Sequence, residues 1–357
     1  MALLIDGGRI PPRWAEKKSL LPAKSNGRYD SGSECVRIAL INNMPDAALE
    51  DTEMQFMELL AAAAEDVPVR LSLFSLPRVP RGERGLQHLN DFYFGINDLW
   101  DRHFDAAIVT GTEPRQPDLR QEPYWSAMAD VLDWAERNTL STILSCLAAH
   151  AGVLHSDGIL RQPLPDKQFG VFQSTPVCDH ELTLHAARPL HFPHSRWNEV
   201  REDALTAGGY SVLTKSAQAG VDLFAKQKRK SLFVHLQGHP EYGSHTLLKE
   251  YRRDIKRFLR KERGTYPTMP HGYFDAPATK LLAEFQQAAL ARPREEQMVF
   301  FPEKMIVGAL QNTWQSSARC IYRNWLRHLL SKKTETSAFA AMTASYAQAQ
   351  RKRTAIS

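Results

Sequence analysis

The sequence predicts an α/β fold in which a doubly wound, mostly parallel sheet carries helices on both faces. Nearly continuous apolar runs of strand length recur through the first half of the chain, as in strands that are buried on both sides. Stretches with apolar residues at helical spacing separate these runs. Strand and helix therefore alternate, which is the pattern of a parallel sheet with helical connections. With 357 residues, 43% of them hydrophobic, the chain is long enough to bury one large core.

Four strands and three helices are predicted in the first half. The strands are VRIALINNM (36–44), VRLSLFSL (69–76), FDAAIVTG (104–111) and STILS (141–145). The helices are EDTEMQFMELLAAAAE (50–65), EPYWSAMADVLDWAERN (122–138) and a third that begins with LAAHAGVLH (147–155).

The second half is less regular. Its strand candidates are ELTLHA (181–186), YSVLTKS (210–216), VDLFAKQ (221–227) and SLFVHL (231–236). A long helix is predicted from about 244 to 263, an alanine-rich helix within 264–312, and a last core helix over SARCIYRNWLRHLL (317–330).

The chain divides into three parts by composition. Residues 1–34 are rich in Gly, Pro, Ser and Lys and predict an extended or loosely ordered arm. Residues 35–330 hold the alternating pattern and form the predicted domain. Residues 331–357 are polar and alanine-rich, which predicts a frayed helix or a disordered tail.

Composition argues against several classes of protein. The net charge of +5 is modest for this length and does not indicate a nucleic-acid partner. The apolar patch at 2–5 is too short for a signal peptide and no apolar run has transmembrane length, so we expect a cytoplasmic protein without a membrane partner. The four cysteines, at 35, 146, 178 and 320, include no CxxC pair. Their spacing argues against a zinc ribbon and a disulfide framework, and no metal site is predicted.

Cys146 stands where the strand 141–145 stops and the next helix starts. In a doubly wound sheet, ligands bind at the carboxyl ends of the strands. A helix N-terminus favours a thiolate, and free backbone N–H groups nearby can hold an oxyanion. Cys146 is therefore a candidate nucleophile, and the alternative is a buried structural cysteine.

A second strand end offers the partners that a thiol nucleophile needs. The run VHLQGHPEY (234–242) ends an apolar strand in Gly238, His239, Pro240 and Glu241. A nucleophilic thiol requires a base, and the base requires an orienting acceptor, which His239 and Glu241 can supply. Taken alone, this stretch is equally an ordinary turn with a bystander histidine. The order Cys…His-x-Glu across two strand ends is much more specific.

At these residues the chain resembles the homoserine O-acyltransferases of methionine biosynthesis, a family with homoserine O-succinyltransferase and homoserine O-acetyltransferase members. The matching stretches include INNMP, TEMQFMELL, HLNDFYFGINDLW, STILSCLAAHA, PHSRW and GHPEYGSHTLLKEYRRD, in the same order. The likeness covers roughly 36–259 and resumes in WQSSARCIYRNWLRHLL near the C-terminus. It implies the class I glutamine amidotransferase-like superfamily, with a flavodoxin-like core and a C-terminal helical extension.

The resemblance also implies roles for individual residues. Cys146 would accept the acyl group, His239 would act as general base and acid, Glu241 would orient His239, and the N–H of Leu147 would donate to the oxyanion. The positions that match contacts to the amino-acid acceptor are Lys167, Ser195 and Arg253, with Arg196 and Glu250 at neighbouring site positions. An amino acid offers a carboxylate to Lys or Arg and an ammonium group to Glu.

The family's reaction is a ping-pong acyl transfer. The Cys146 thiolate would attack an acyl-CoA thioester, and His239 would then deprotonate the homoserine hydroxyl that attacks the acyl-enzyme. Acyl-CoA is a co-substrate, so no bound cofactor is expected. The resemblance also implies small-molecule substrates and a homodimer.

Two segments depart from the family pattern. No lysine follows MP in NMPDAALEDTEMQF, although family members commonly carry one near the acyl donor. In the turn TGTEPRQP, Arg115 occupies the position where glycine goes with succinyl and glutamate with acetyl transfer. A guanidinium there could pair with a succinyl carboxylate, which favours succinyl over acetyl; the alternatives are that Arg115 points to solvent or pairs with Glu113. The stretch 276–312 is also longer than expected and could cap the site or build a dimer surface.

Three other functions stay open from the sequence alone. The enzyme could acylate another hydroxy amino acid, such as serine. The same triad could serve a glutamine amidase or an amidotransferase subunit, for which the acceptor residues would not be required. A non-catalytic binding protein on this fold is disfavoured by the intact Cys, His and Glu.

Overall fold

A computed structural model describes residues 3–7, 10–16 and 35–354. Its larger sheet has eight strands that lie in the order β1 (Leu3–Ile5), β3 (Val69–Phe74), β2 (Val36–Ile41), β4 (Ala106–Thr110), β5 (Ser141–Ser145), β12 (Ser231–Leu236), β11 (Leu223–Lys228) and β8 (Ser211–Val212). The first six are parallel, and β11 and β8 are antiparallel additions at one edge. The order β3-β2-β4-β5-β12 is that of flavodoxin-like folds. The predicted fold class is confirmed.

The helices surround this sheet. They are α1 (Pro12–Ala15), α2 (Asp46–Ala64), α3 (Glu83–Phe92), α4 (Asn97–Asp101), α5 (Trp125–Asn138), α6 (Leu147–Asp157), α7 (Glu202–Ala207), α8 (Thr246–Leu259), α9 (Ala276–Ala291), α10 (Glu303–Ile306) and α11 (Gln315–Thr354). Among the described residues, no helix is long and apolar enough to cross a membrane.

The central strands are apolar throughout because both faces of the sheet are covered. In β2, Ile38 and Leu40 pack in a cluster with α2 and α11, whereas Ala39 and Ile41 pack in another with α5 and α6. All four side chains are fully buried. Successive residues of a strand face opposite sides, so burial on both sides removes the usual apolar–polar alternation.

A second, antiparallel sheet lies beside the first, with the strand order β10 (Gly220–Val221), β9 (Thr214–Ser216), β6 (Gln162–Pro176) and β7 (Leu190–Glu199). The strands β6 and β7 were not predicted. The range 210–216 was predicted as one strand, but it contains β8 and β9, which belong to different sheets. The predicted strand ELTLHA is wrong. Its residues Glu181–Thr183 form a short 3-10 turn, capped where the His180 ring accepts from the Leu182 N–H at 3.1 Å.

Regular elements occur near both ends of the chain where the structure describes them. In the arm 1–34, Leu3–Ile5 pairs with β3, and the side chains of Leu3 and Trp14 are about 1% exposed. These two pieces belong to the core because their apolar side chains bury there. Residues 17–34 lie outside the described residues. At the other end, α11 crosses 330 without a break and continues to Thr354, and 355–357 lie outside the described residues.

The segment 276–312 forms α9, α10 and short 3-10 turns, and it packs on α8. Leu282 and Phe285 of α9 join Tyr251 of α8 in a third apolar cluster. Just after the segment, the Trp314 indole N–H donates to the carbonyl of Tyr242 at 2.8 Å. The segment is thereby attached to the loop that follows β12.

Candidate active site

Cys146 joins β5 to α6 in a backbone conformation that residues other than glycine rarely adopt. Its φ is +52° and its ψ is −110°, and its N–H donates to the carbonyl of Leu236 at 2.7 Å. Gly111 allows the turn to pack closely, because a Cβ there would lie 2.3 Å from the Cβ of Leu147. Unusual backbone of this kind occurs at functional sites, where the surrounding structure holds it. The thiol therefore stands at the start of α6, where the helix dipole favours a thiolate.

His239 and Glu241 follow the neighbouring strand. The strand β12 pairs in parallel with β5, with Leu236 opposite Ser145, so the two strand ends meet at one edge of the sheet. Cys146 and His239 line the same cavity, and the Cys146 sulfur lies within interaction range of the imidazole. On the other side of the ring, Nδ1 lies 2.8 Å from Oε1 of Glu241. The structure thus brings the three predicted triad residues together.

The charge state of His239 depends on its two neighbours. Burial alone lowers the pKa of His239, but the negative charges of Cys146 and Glu241 and the hydrogen bonds of both raise it well above its ordinary value. The Tyr242 ring stacks on the imidazole at 4.2 Å between centroids. The arrangement therefore favours a buried imidazolium at His239.

Leu147 is the first residue of α6 and lines the same cavity as Cys146. The first N–H groups of a helix have no partner within the helix. The Leu147 N–H, which follows Cys146, can therefore face an oxyanion without losing a helical hydrogen bond.

A second group of polar side chains converges on Glu250 of α8. Its Oε1 accepts from the Tyr242 hydroxyl at 2.7 Å, and its Oε2 accepts from the Ser195 hydroxyl and from Lys167 Nζ at 3.4 Å. Arg253 Nη2 lies 3.8 Å from the same oxygen. Burial raises the pKa of Glu250, but Lys167, Ser195 and Arg253 together hold it below its ordinary value. The predicted acceptor residues thus form one connected network around an ionised carboxylate.

The network also contains residues that the sequence analysis missed. Asp254 Oδ2 lies 3.0 Å from Lys167 Nζ, and its Oδ1 lies 3.2 Å from Arg253 Nη2. Tyr242 links Glu250 to His239, as described above. Tyr242 and Asp254 both lie inside the matched stretch GHPEYGSHTLLKEYRRD, directly after Glu241 and Arg253, and that position was the only available signal.

Arg196 lies in the cavity wall but differs from the other predicted acceptor residues. Its guanidinium donates to the carbonyls of Asn198 at 2.9 Å and Ala219 at 2.5 Å, and Nε donates to His194 Nδ1 at 3.2 Å. Burial lowers the pKa of Arg196. Through these contacts, the buried Arg196 side chain connects β7 to the turn before β10.

A buried carboxylate lies behind His239. Asp222 Oδ1 is 3.3 Å from His194 Nε2 and accepts from the Gly238 N–H at 2.8 Å. Burial raises the pKa of Asp222 to about 7. Asp222 therefore holds the backbone immediately before His239 in place. This contact requires an ionisable group to be buried in the protein.

The loop after β4 carries Arg115 at the cavity rim. Its backbone N–H and that of Gln116 donate to Glu122 Oε1 at 2.5 and 2.6 Å. The Arg115 side chain is exposed, and Glu113 pairs with Arg257 at 3.6 Å instead of with Arg115. Arg115 therefore carries a charge beside the cavity that no carboxylate of the described residues pairs with.

The Cys146–His239–Glu241 group, the Glu250 network, Arg115 and Arg196 line one cavity of about 1220 Å³. Its volume exceeds that of a typical small-molecule pocket, which suits two substrates that bind together or in turn. The predicted site residues in its wall are Arg115, Cys146, Leu147, Lys167, Ser195, Arg196, His239, Glu241, Glu250 and Arg253.

Sequence comparison places the chain among known proteins. The profile of the homoserine O-succinyltransferase family matches residues 15–336. A homoserine O-succinyltransferase from Rhodopseudomonas palustris is 44% identical over 328 residues, which are 92% of this chain and 97% of that protein. One from Methylorubrum extorquens is 45% identical over 291 residues, or 82% and 86% of the two chains. The chain belongs to the homoserine O-succinyltransferase family.

As a member of this family, the protein is an acyltransferase. The matched range includes 276–312, which lies outside the matching motifs of the sequence. Among solved structures, a glutamine amidotransferase from Methylobacillus flagellatus is similar with a TM-score of 0.46 and 13% identity, over 83% of this chain and 95% of that one.

Proposed function

We propose that the protein transfers a succinyl group from succinyl-CoA to the hydroxyl of homoserine. The observation that carries this proposal is that the Cys146–His239–Glu241 arrangement and the Glu250 network line the same cavity. The first group suits a thioester donor, and the second suits a zwitterionic amino acid. An amidase would need only the first.

In the first half-reaction, the Cys146 thiolate attacks the carbonyl carbon of the thioester. The negative charge that develops on the carbonyl oxygen is stabilised by the Leu147 N–H. When the tetrahedral intermediate collapses, the C–S bond to coenzyme A breaks, and imidazolium His239 supplies the proton to the departing thiolate. The acyl group is then a thioester on Cys146.

Acylation changes the base as well as the nucleophile. The thioester carries no charge, so one of the causes that raise the pKa of His239 disappears, while the burial that lowers it remains. His239 is then neutral and can take the proton of the homoserine hydroxyl. The hydroxyl oxygen attacks the thioester, the C–S bond to Cys146 breaks, and the thiolate–imidazolium pair is restored.

The Glu250 network can receive homoserine without a change in net charge. Two carboxylates, Glu250 and Asp254, face two cations, Lys167 and Arg253. The ammonium group of homoserine would bind Glu250, and its carboxylate would bind Lys167 and Arg253. A zwitterion adds one charge of each sign, so the buried network stays balanced.

The remaining expectations from the family stand as part of this proposal. Coenzyme A thioester is consumed as a co-substrate, and no resident cofactor takes part. Arg115, at the cavity rim, is proposed as one of the cations that favour an acyl group with a carboxylate. A homodimer would have an apolar surface available in the 276–312 segment, where Val299, Phe300 and Met305 are 83%, 73% and 69% exposed.

A donor–acceptor matrix tests the proposal. Purified protein is given succinyl-CoA or acetyl-CoA with homoserine or serine, while thiol release is followed and the intact protein is weighed by mass spectrometry. We expect fastest release with succinyl-CoA and homoserine, and a succinyl adduct that is absent in Cys146→Ala. Thiol release that survives this substitution, or that is unchanged by omission of the amino acid, would contradict the mechanism. Ammonia release from glutamine would favour the amidase alternative.

A further inference from the structure

Arg161 is a cation of the cavity wall that neither the triad nor the Glu250 network uses. It lies directly before β6, is half-buried, and lines the cavity that holds Cys146. Its Nη2 donates to the backbone carbonyls of Gln116 at 3.3 Å and Pro117 at 3.2 Å. Arg161 therefore meets the loop that carries Arg115 from the cavity side.

Most of the Arg161 guanidinium remains available. A guanidinium has five N–H donors, and Nε and Nη1 make no hydrogen bond to any residue in the described part of the chain. No carboxylate of those residues lies within ion-pair distance of the Arg161 guanidinium either. The nearby Asp118 pairs with Arg120 at 2.9 Å. A half-buried guanidinium without an ion pair is uncommon, since burial of a charge is costly unless a partner compensates it.

The sulfur of Cys146 lies within electrostatic reach of this group. Burial lowers the pKa of Arg161, and the Glu122 carboxylate and the Cys146 sulfur oppose that effect. Even so, a guanidinium stays protonated at neutral pH. The cavity thus holds a permanent positive charge close to the atom that would carry the acyl group.

Around the loop that carries Arg115, cations exceed carboxylates by one. Arg115 and Arg161 contribute two positive charges and the buried Glu122 contributes one negative charge, whereas the pairs Asp118–Arg120 and Glu113–Arg257 add no net charge. Glu122 already accepts two backbone N–H groups through Oε1, and its Oε2 and the buried Tyr124 hydroxyl have no partner among the described residues. A ligand with one carboxylate would balance the excess charge, whereas an acetyl group would not.

We propose that Arg161 binds the terminal carboxylate of the succinyl group while the other end of that group is attached to coenzyme A or to Cys146. The inference rests on the proposed function and extends it to the residue that selects the acyl group. Arg161 is better suited than Arg115, because its guanidinium is half-buried and already held in place by two backbone carbonyls. Bidentate guanidinium–carboxylate pairing gives both affinity and orientation.

The test compares kcat/KM for succinyl-CoA and acetyl-CoA in Arg161→Met, Arg161→Lys and the matched rim variant Arg115→Met. We expect Arg161→Met to lower the succinyl-CoA value about 10–100-fold, as for a lost charge-assisted hydrogen bond. The acetyl-CoA value should change less than about threefold, and Arg161→Lys should recover part of the loss. An equal fall with both donors would show that Arg161 only supports the loop and would overturn the inference, as would a larger change of the ratio in Arg115→Met.

Binding without turnover separates this inference from the proposed function. In a Cys146→Ala background, calorimetry measures the affinity for succinyl-CoA and acetyl-CoA with and without Arg161→Met. A preference for succinyl-CoA that disappears with Arg161→Met supports the inference even if the wild-type enzyme acylates no homoserine. If homoserine is succinylated but the binding preference ignores Arg161, the inference is wrong and the proposed function stands.

Discussion

Replacement of Glu241 by Gln tests whether its charge, and not only its shape, supports the base. Glu241 is buried, with a side chain that is 3% exposed, and its Oε1 lies 2.8 Å from His239 Nδ1. Glutamine has nearly the same size and keeps an oxygen that can accept from Nδ1. The substitution therefore removes one negative charge with little change in packing.

The size of the effect follows from the geometry. The charges of a hydrogen-bonded imidazolium and carboxylate are centred about 4 Å apart, where the Coulomb energy is about 4 kcal/mol at an effective dielectric constant of 20. Since about 1.4 kcal/mol is a factor of ten in rate, complete loss would slow acylation about 10³-fold. The amide oxygen retains part of the hydrogen bond, so we expect a fall of about 10²-fold.

Single-turnover release of coenzyme A, followed by stopped flow at several pH values, measures this step. Loss of the Glu241 charge lowers the pKa of His239, so the imidazolium is lost earlier as pH rises, and the deficit should be larger at pH 8 than at pH 6. The same substitution in a surface ion pair, Glu136→Gln opposite Arg229, should change the rate less than about twofold. A deficit below tenfold, or one that shrinks as pH rises, would refute the electrostatic role of Glu241.

Two further predictions concern stability. Burial raises the pKa of Asp222 to about 7, so the folded protein keeps a proton that the unfolded chain releases above about pH 4, and stability falls as pH rises from about 4 to about 7. Asp222→Asn keeps an acceptor for the Gly238 N–H. Its free energy of unfolding in urea, relative to the wild type, should be about 2–4 kcal/mol more favourable at pH 8 than at pH 5. The same difference between variant and wild type at both pH values would count against this. Trp14→Ala should cost about 3–5 kcal/mol by the same assay, whereas Trp197→Ala, at a 47% exposed position, should cost less than about 1 kcal/mol. Equal stability of these two variants would mean that Trp14 is not part of the core.

The first half of the fold could be predicted because each central strand is buried on both faces. Val36–Ile41 and Ser141–Ser145 read as apolar runs bounded by helices, and the parallel sheet followed from that pattern. The second sheet lacks this signal. Its long strand Gln162–Pro176 mixes exposed and buried residues and contains three prolines, so neither continuous apolarity nor clean alternation marks it.

The predicted site residues converge because they follow strand ends or family motifs, and both kinds of signal are visible in the sequence. What remained hidden was the partner of each charge. Asp254 joins the Glu250 network through a contact with the distant Lys167, and Tyr242 joins it across the turn between β12 and α8. The partial burial of Arg161 and its lack of an ion pair among the described residues come from the tertiary structure, and no sequence pattern reports them.

Tyr242 supports the imidazole with its ring and holds the acceptor carboxylate with its hydroxyl. A hydroxy amino acid that fits poorly against Glu250 would displace the Tyr242 hydroxyl, and the Tyr242 ring that stacks on His239 would move with it. We therefore expect a mismatched acceptor to be penalised twice, once by weaker association and again by a misaligned proton acceptor. Fidelity toward the second substrate would then arise from a single rigid phenol that belongs to two subsites at once.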